Sequence, residues 1–445
     1  MFKKKWVKVL AVVLGILIGL YLVMFVVNVF CNIGLRKYIE SFEPVAYSAD
    51  RLTPTYEDGY YTYTSDEELN ILHITDIHLG GGFWTYKTDK KTIYELITML
   101  QAEKPDLVIS TGDNTYALPF FGWNGGNTFN NKMVAKTFIS IFEHEKVYFS
   151  TVFGNHDTEA WDYADRATIG ALYQNGGYEY SIFESQFSDL DCKTVPSVSN
   201  QFILVKNSEG KITKLLLLID SNAYISTSLI SNVLGKYDTI HDAEVEWAAS
   251  VIKELSKKEG LPEGEYLKCL AFMHIPVGEY RCALDDLITE VKDEDGNATE
   301  FVTNTNPKET EFVEGAWGEI KICYGGVNDT TIAPEDQDKF FEVLAEDMGC
   351  LDAIFCGHDH TNNAVVNYKG VMLSYGYSLD NTAYGKGIKD SGEQRGATLI
   401  QVNADGTFTQ QHKNAYTDYG CDLNKFSSVY LDKHLYPEQY RTVGN

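Results

Sequence analysis

The chain has 445 residues, 44% of them apolar and 22% charged, a balance that suits one large folded domain and excludes a disordered or fibrous chain. The formal net charge is −26; the first 37 residues hold six positive charges and no negative one, so the remainder carries −32. That sign repels phosphate backbones, and with no basic run beyond the N-terminus it argues against a nucleic-acid-binding module.

The first element is VLAVVLGILIGLYLVMFVV, Val9 to Val27, uncharged and close to the ~20 residues that cross a bilayer as a helix. A cleaved signal peptide has an apolar centre of roughly 7–15 residues followed by a small-x-small site. Here the run passes into Asn28-Val29-Phe30-Cys31 without one, so an uncleaved signal anchor is expected. Lys3, Lys4, Lys5 and Lys8 precede the span and only Arg36 and Lys37 follow closely, which holds the N-terminus in the cytoplasm and puts the rest of the chain outside. Residues 1–35 are therefore read as cytoplasmic stub and transmembrane anchor, residues 36–69 as a polar juxtamembrane spacer, 70–412 as the main domain and 413–445 as a tail. An outward-facing domain permits disulfides, but the eight cysteines form no CxxC pair and no regular framework.

Beyond the spacer, apolar runs predict strands at 70–75, 106–111, 147–152, 201–205, 214–220, 268–273, 352–356, 370–375 and 397–402. Helical spacing of Ile93, Leu96, Ile97 and Leu100 predicts a helix over 91–103, and Val245, Ala249, Ile252 and Leu255 predict another over 242–257. A third is expected from Pro334 to Met348, opening on proline and closing before Gly349. Two sheets with helices outside accommodate this order.

Five of the strands end in groups that ligate metals: TDIH (Asp76, His78), TGDN (Asp113), FGNHD (Asn155, His156, Asp157), MHIP (His274) and CGHDH (His358, His360). Each has a plainer explanation alone. A DxH or GDN is ordinary turn chemistry, and a lone histidine at a strand end is commonly a satisfied core residue. Jointly, however, five clusters at carboxyl ends of strands can converge, because α/β folds gather catalytic groups there.

The ordered set DxH, GDN, GNHD, H and GHxH resembles the calcineurin-like metallophosphoesterase superfamily from about Ile71 to Val402, in its purple-acid-phosphatase-like branch that retains the DxH histidine. The resemblance implies an α/β fold of two facing mixed β-sheets flanked by helices, a four-layer sandwich, with a dinuclear metal centre at strand ends. It implies Asp76, His78 and His360 on one metal, Asn155, His274 and His358 on the second, and Asp113 bridging both. His156 would donate a proton to the leaving group and Asp157 would orient His156. The ions would be two divalent or ferric transition metals, with manganese, iron and zinc all compatible. Such a pair grips a phosphoryl oxygen and yields a hydroxide aimed at phosphorus.

Tyr116 stands three residues after Asp113, where purple acid phosphatases place an iron-binding tyrosine, but His78 already fills that ion's shell, so a pocket tyrosine is expected. Substrate recognition is expected in the insertions 116–131, 158–180 and 278–331. Arg166, Arg281 and Arg395 are candidate phosphate clamps or plain salt bridges. Trp123, Trp161 and Trp317 could stack on a base or sugar, or pack under loops. Asn297 and Asn328 open glycosylation patterns. The expected function is membrane-anchored phosphoester hydrolysis, on a small molecule or a phosphorylated macromolecule, with monoesters favoured over diesters or nucleotides by analogy. A non-catalytic, metal-stabilised binding protein is the alternative from another class.

Overall fold

The computed structural model describes residues 2–49, 51–117, 129–189, 197–225, 236–292, 298–317, 322–326, 332–383 and 395–421. The small sheet runs edge to edge as β17 (Phe408–Asn414), β16 (Gly396–Val402), β3 (Leu69–Ile74), β4 (Leu107–Ser110) and β5 (Phe149–Thr151). The large sheet runs β1 (Thr55–Glu57), β2 (Tyr60–Thr64), β7 (Ser197–Lys206), β8 (Ile212–Leu218), β9 (Cys269–Phe272), β13 (Leu351–Cys356), β15 (Val371–Tyr375), β14 (Val365–Tyr368) and β12 (Thr310–Glu314). Strand β6 (Phe187–Asp189) pairs with β7 at its margin, and β10 (Ile288–Lys292) with β11 (Ala298–Thr303) forms a separate ribbon.

Alternating side chains explain the layers. Strand β3 turns Leu69 and Ile71 toward the large sheet, where they meet Leu216, Leu218, Phe272 and Phe355, and turns Leu72 and Ile74 outward against helices. On that outer face lie α1 (Phe2–Ile39), α2 (Tyr86–Glu103), α3 (Asn131–Glu145) and α4 (Arg166–Asn175). The outer face of the large sheet is covered by α5 (Asp242–Lys258) and α6 (Glu279–Leu287). The order is helix, sheet, sheet, helix, the four-layer sandwich expected. All nine predicted strands form, and α2 and α5 bury the periodic residues that predicted them.

Three expectations change. The predicted helix over Pro334–Met348 is broken into a 3-10 turn at Pro334–Asp336 and a π-helical turn at Glu342–Asp347. Half-buried Asp338 accepts from the Phe340 amide (2.9 Å) and restarts the backbone midway. The expected spacer belongs to the folded body: β2 pairs in parallel with β7, and the hydroxyl of Tyr63 donates to the Asp106 carbonyl at 3.1 Å. Tyrosine and threonine make that stretch look polar, yet both favour strands. The expected tail begins inside β17, and Ala415 and Cys421 are buried; its residues 422–445 lie outside the described residues.

Helix α1 has 38 residues, about 57 Å at 1.5 Å per residue. Its apolar stretch is long enough to cross a membrane and is uncovered by protein. From Asn28 onward one face is buried: Asn28, Asn32, Leu35 and Ile39 pack against the α2 and α3 side of the domain.

Candidate metal centre

Strands β3, β4 and β5 are parallel neighbours, as are β9 and β13, so their carboxyl ends meet along one rim of the sandwich. Each ligand-bearing loop leaves its strand abruptly. Asp76, His78, Asp113 and His358 all take positive φ (52°, 49°, 50° and 74°), a conformation costly for side chains other than glycine. Backbone bonds between the loops hold it: Asp76 N donates to Gly112 O (3.0 Å) and His78 N to Asp113 O (2.9 Å). The glycines that precede ligands permit the close approach. A Cβ on Gly357 would lie 1.9 Å from Thr75 Oγ1, and one on Gly154 would lie 2.1 Å from Asp113 Oδ1.

Two groups of donor atoms result, Asp76–His78–Asp113–His360 and Asp113–His274–His358, each with its atoms within 4.8 Å of one another. Asp113 belongs to both. Its Oδ2 stands 3.2 Å from His78 Nε2 and 3.2 Å from His274 Nε2, while His360 Nε2 is 3.2 Å from Asp76 Oδ1. Asn155 Oδ1 lies 3.2 Å from His274 Nε2 and so completes the second group with a neutral oxygen. All seven residues are buried.

The surroundings aim these donors. His274 Nδ1 is fixed by the Thr111 carbonyl at 2.8 Å, which leaves Nε2 for the pocket, and Asp380 Oδ2 sits 3.3 Å from His360 Nδ1 in the same role. Nε2 of His358 is buried without a hydrogen bond among the described residues. Burial opposes charge on all of these groups, yet neighbouring imidazoles hold Asp76 and Asp113 well below the usual carboxylate range. The same carboxylates, against burial, hold His274 and His360 above the ordinary imidazole value and push His78 up to about 9. Burial beside His274 sends His358 well below it. A buried nitrogen without a hydrogen bond, a shared carboxylate and a pull on positive charge all suit a pair of cations.

The family model described as calcineurin-like phosphoesterase matches residues 69–362, about two-thirds of the chain and every one of these candidate ligands. The chain belongs to the calcineurin-like phosphoesterase family. Among similar proteins is one from Arabidopsis thaliana named "probable inactive purple acid phosphatase 29", 23% identical over 369 residues, spanning 77% of this chain and 78% of that one. Another is "Phosphatase DCR2" of Saccharomyces cerevisiae, 23% identical, spanning 67% of this chain and 45% of its own length. Among solved structures, a dimetal phosphatase from Danio rerio is similar over 79% of this chain and 97% of its own, with 12% identity and a TM-score of 0.43.

Around this phosphoesterase centre, one expected role is corrected. Asp157 does not orient His156: its Oδ1 accepts from the amides of Asn114 (3.0 Å) and Thr115 (3.1 Å), and its Oδ2 from Gly154 (2.8 Å). The carboxylate is consumed in tying the second and third ligand loops together, and burial with the nearby Asp113 charge raises it to about 6. The partner of His156 is Glu159, whose Oε1 lies 2.5 Å from Nδ1. Tyr224 extends that pair, receiving from Asn155 Nδ2 at 2.9 Å and donating to Glu159 at 3.2 Å. Glu159 stands one helical turn after His156 in the sequence, a spacing that could have flagged it. Tyr224 and Asp380 carry no comparable signal.

Tyr116 packs its ring on His78 (4.9 Å between centroids) and His156 (5.0 Å), as a pocket tyrosine does. The three candidate clamps are engaged elsewhere. Arg166 is buried in an ion pair with Asp220 and donates to the carbonyls of Gly154 and Phe153; Arg281 pairs with Asp285 one turn along α6; Arg395 is buried and donates to the Asp380 carbonyl. Trp317 is core, and Trp161 donates to the Ala117 carbonyl at 3.2 Å. Trp123, Asn297 and Asn328 lie outside the described residues.

Proposed function

We propose that the chain is a membrane-anchored hydrolase of phosphate esters, most active on monoesters, with its N-terminus in the cytoplasm and its domain outside. The observation that carries the reading is Asp113 shared between two buried donor groups, with His156 and Glu159 beside them. Asp76, His78 and His360 would hold one ion, Asn155, His274 and His358 the other, and Asp113 both. When bound, the two cations would polarise a phosphoryl oxygen and make water nucleophilic near neutral pH. Glu159 fixes the His156 ring through Nδ1, leaving Nε2 to protonate the departing alkoxide. Asp157 keeps the loops of Asp113 and Asn155 in register. The deep acidic surface leaves attraction of the phosphate to the ions.

Retention of α1 as an anchor is supported by its course. The helix continues without a break from the apolar stretch into the domain, where Asn32 Nδ2 donates to Gly81 O (2.6 Å) and Asn32 Oδ1 accepts from Thr137 Oγ1 (2.8 Å). A cut at the end of the apolar run would fall beside Asn28 and Asn32, which join the helix to the domain.

The test uses the full chain in detergent, stripped by chelator and reloaded with manganese, iron or zinc. Hydrolysis of an aryl phosphate monoester should return with metal, exceed that of the diester, and stay absent without metal. The name "inactive" on the plant relative favours a second reading, a metal-retaining binding protein. That reading predicts bound metal with no turnover of either ester. Protein sequencing of the mature N-terminus separates anchor from cleaved signal.

A further inference from the structure

Resting on the anchored-phosphoesterase reading, we propose that the rim of the metal centre lies on the bilayer surface through an aromatic collar around α1, and that the substrate is a phosphate ester carried on a lipid headgroup.

There is no slack between span and domain. Burial of α1 begins at Asn28, directly after Val27 closes the apolar run. Tyr21, inside that run, already meets Phe129 (6.0 Å between ring centroids), and Asn28 Oδ1 accepts from the Phe83 amide at 3.3 Å. With residues 9–27 in hydrocarbon, the Phe83 loop that meets Asn28 lies in the headgroup layer, and Phe129, beside Tyr21, dips about 9 Å below it.

Those loops present the side chains that this layer favours. Among the described residues, Trp84 is 66% exposed, Phe83 55% and Tyr163 74%, and Phe30 on α1 itself is 67% exposed. Exposed aromatic rings on a domain of net charge −32 are unusual for an aqueous face and normal for a membrane–water boundary. Two open grooves flank the helix. One, about 690 Å³, runs between Tyr21, Phe25, Phe129, Trp161 and Tyr163; the other, about 650 Å³, runs between Val27, Phe30, Phe83 and Trp84. Acyl chains have the shape and polarity to fill both. The net negative charge of the domain argues against long-range attraction to an anionic surface, so docking rests on the apolar collar.

The collar and the catalytic rim are the same loops. Phe83 and Trp84 follow the candidate ligand His78 by five and six residues, Trp161 and Tyr163 follow His156 by five and seven, and Phe129 lies in the 116–131 insertion that follows Asp113. Five residues span at most about 18 Å of fully extended chain, so the centre stands within reach of a headgroup extended from the surface. A water-soluble ester gains nothing from this placement. A lipid-borne one is delivered by diffusion in the plane.

The test reconstitutes the metal-loaded full chain in phosphatidylcholine vesicles containing phosphatidic acid or phosphatidylinositol 4-phosphate, with a soluble aryl phosphate as reference. The Phe83→Ser/Trp84→Ser double variant should lose at least tenfold in kcat/KM on a vesicle-borne lipid and keep its aryl-phosphate activity. Brominated lipid should quench fluorescence of the wild type and lose the Trp84 share in Trp84→Phe. Aryl-phosphate turnover with no turnover of either lipid overturns the substrate assignment and leaves the phosphoesterase reading standing. Equal losses on lipid and aryl ester overturn the docking role. No Trp84 quenching overturns the collar itself. Turnover of no ester at all defeats the underlying reading and the substrate assignment with it, while quenching still decides the docking.

Discussion

Replacing Gly154 by alanine tests how tightly the centre is drawn. The added Cβ would stand 2.1 Å from Asp113 Oδ1, 2.7 Å from its Cγ and 2.5 Å from its backbone nitrogen. Real Cβ atoms essentially never come within 3.0 Å, so the two loops must part by about 0.9 Å, and because one contact is backbone no rotamer change relieves it. A displacement near 1 Å of the carboxylate shared by both donor groups is expected to lower kcat about 10²-fold. Overpacking should cost about 1–3 kcal/mol of stability. The control is Gly170→Ala, inside α4, where the Cβ would meet Val198 Cγ2 at an ordinary 3.4 Å. That variant should keep its activity and gain about 0.5–1 kcal/mol of helix stability. Steady-state kinetics on aryl phosphate, metal content and thermal melts of both variants decide the matter. Wild-type turnover in Gly154→Ala would refute the geometry from which the bridging role of Asp113 is argued.

Further substitutions separate chemistry from scaffolding. Glu159→Gln should lower kcat by about 10²-fold or more with KM and melting temperature nearly unchanged, whereas Asp157→Asn should cost about 1–3 kcal/mol of stability by weakening three buried amide contacts. The reverse pattern in kinetics and melts would restore Asp157 as the partner of His156. Arg166→Met leaves Asp220 buried and uncompensated and should destabilise the chain by about 3–5 kcal/mol, with much of the loss recovered in Arg166→Met/Asp220→Leu; unfolding by denaturant measures both. Glu244 is raised to about 7 by burial and by repulsion from Asp220, so the unfolded chain ionises it first. Stability should therefore fall as pH rises from about 4.5 to about 7, by at most about 3 kcal/mol, and Glu244→Gln, which keeps the helix cap, should flatten that fall in pH-dependent melts.

The candidate ligand set was legible in the sequence because chemistry and position coincide in it. Each sits just past an apolar run, and a neighbour such as His156 is of no use to a turn. Sheet content was legible for the same reason: strands such as β8 and β13 are short apolar runs with clear ends. What stayed hidden depends on partners distant in the chain. Asp157 and Glu159 differ by two positions, and only the packing of Asn114, Thr115 and Tyr224 decides which of them faces His156. Arg166 looked like a clamp because its partner Asp220 arrives from 54 residues away. Helix α4 was hidden inside a presumed loop, although Asp165 caps it by accepting from the Thr168 amide. Strand β2 was hidden by its hydroxyls, and the burial of one face of α1 by the apolar run that precedes it.

The most direct measurement is anomalous diffraction from crystals of the full chain loaded with a single transition metal. Two peaks about 3.5–4 Å apart are expected, one among Asp76, His78 and His360, the other among Asn155, His274 and His358, with the Asp113 carboxylate between them. A single peak, or two peaks that do not share Asp113, would contradict the account.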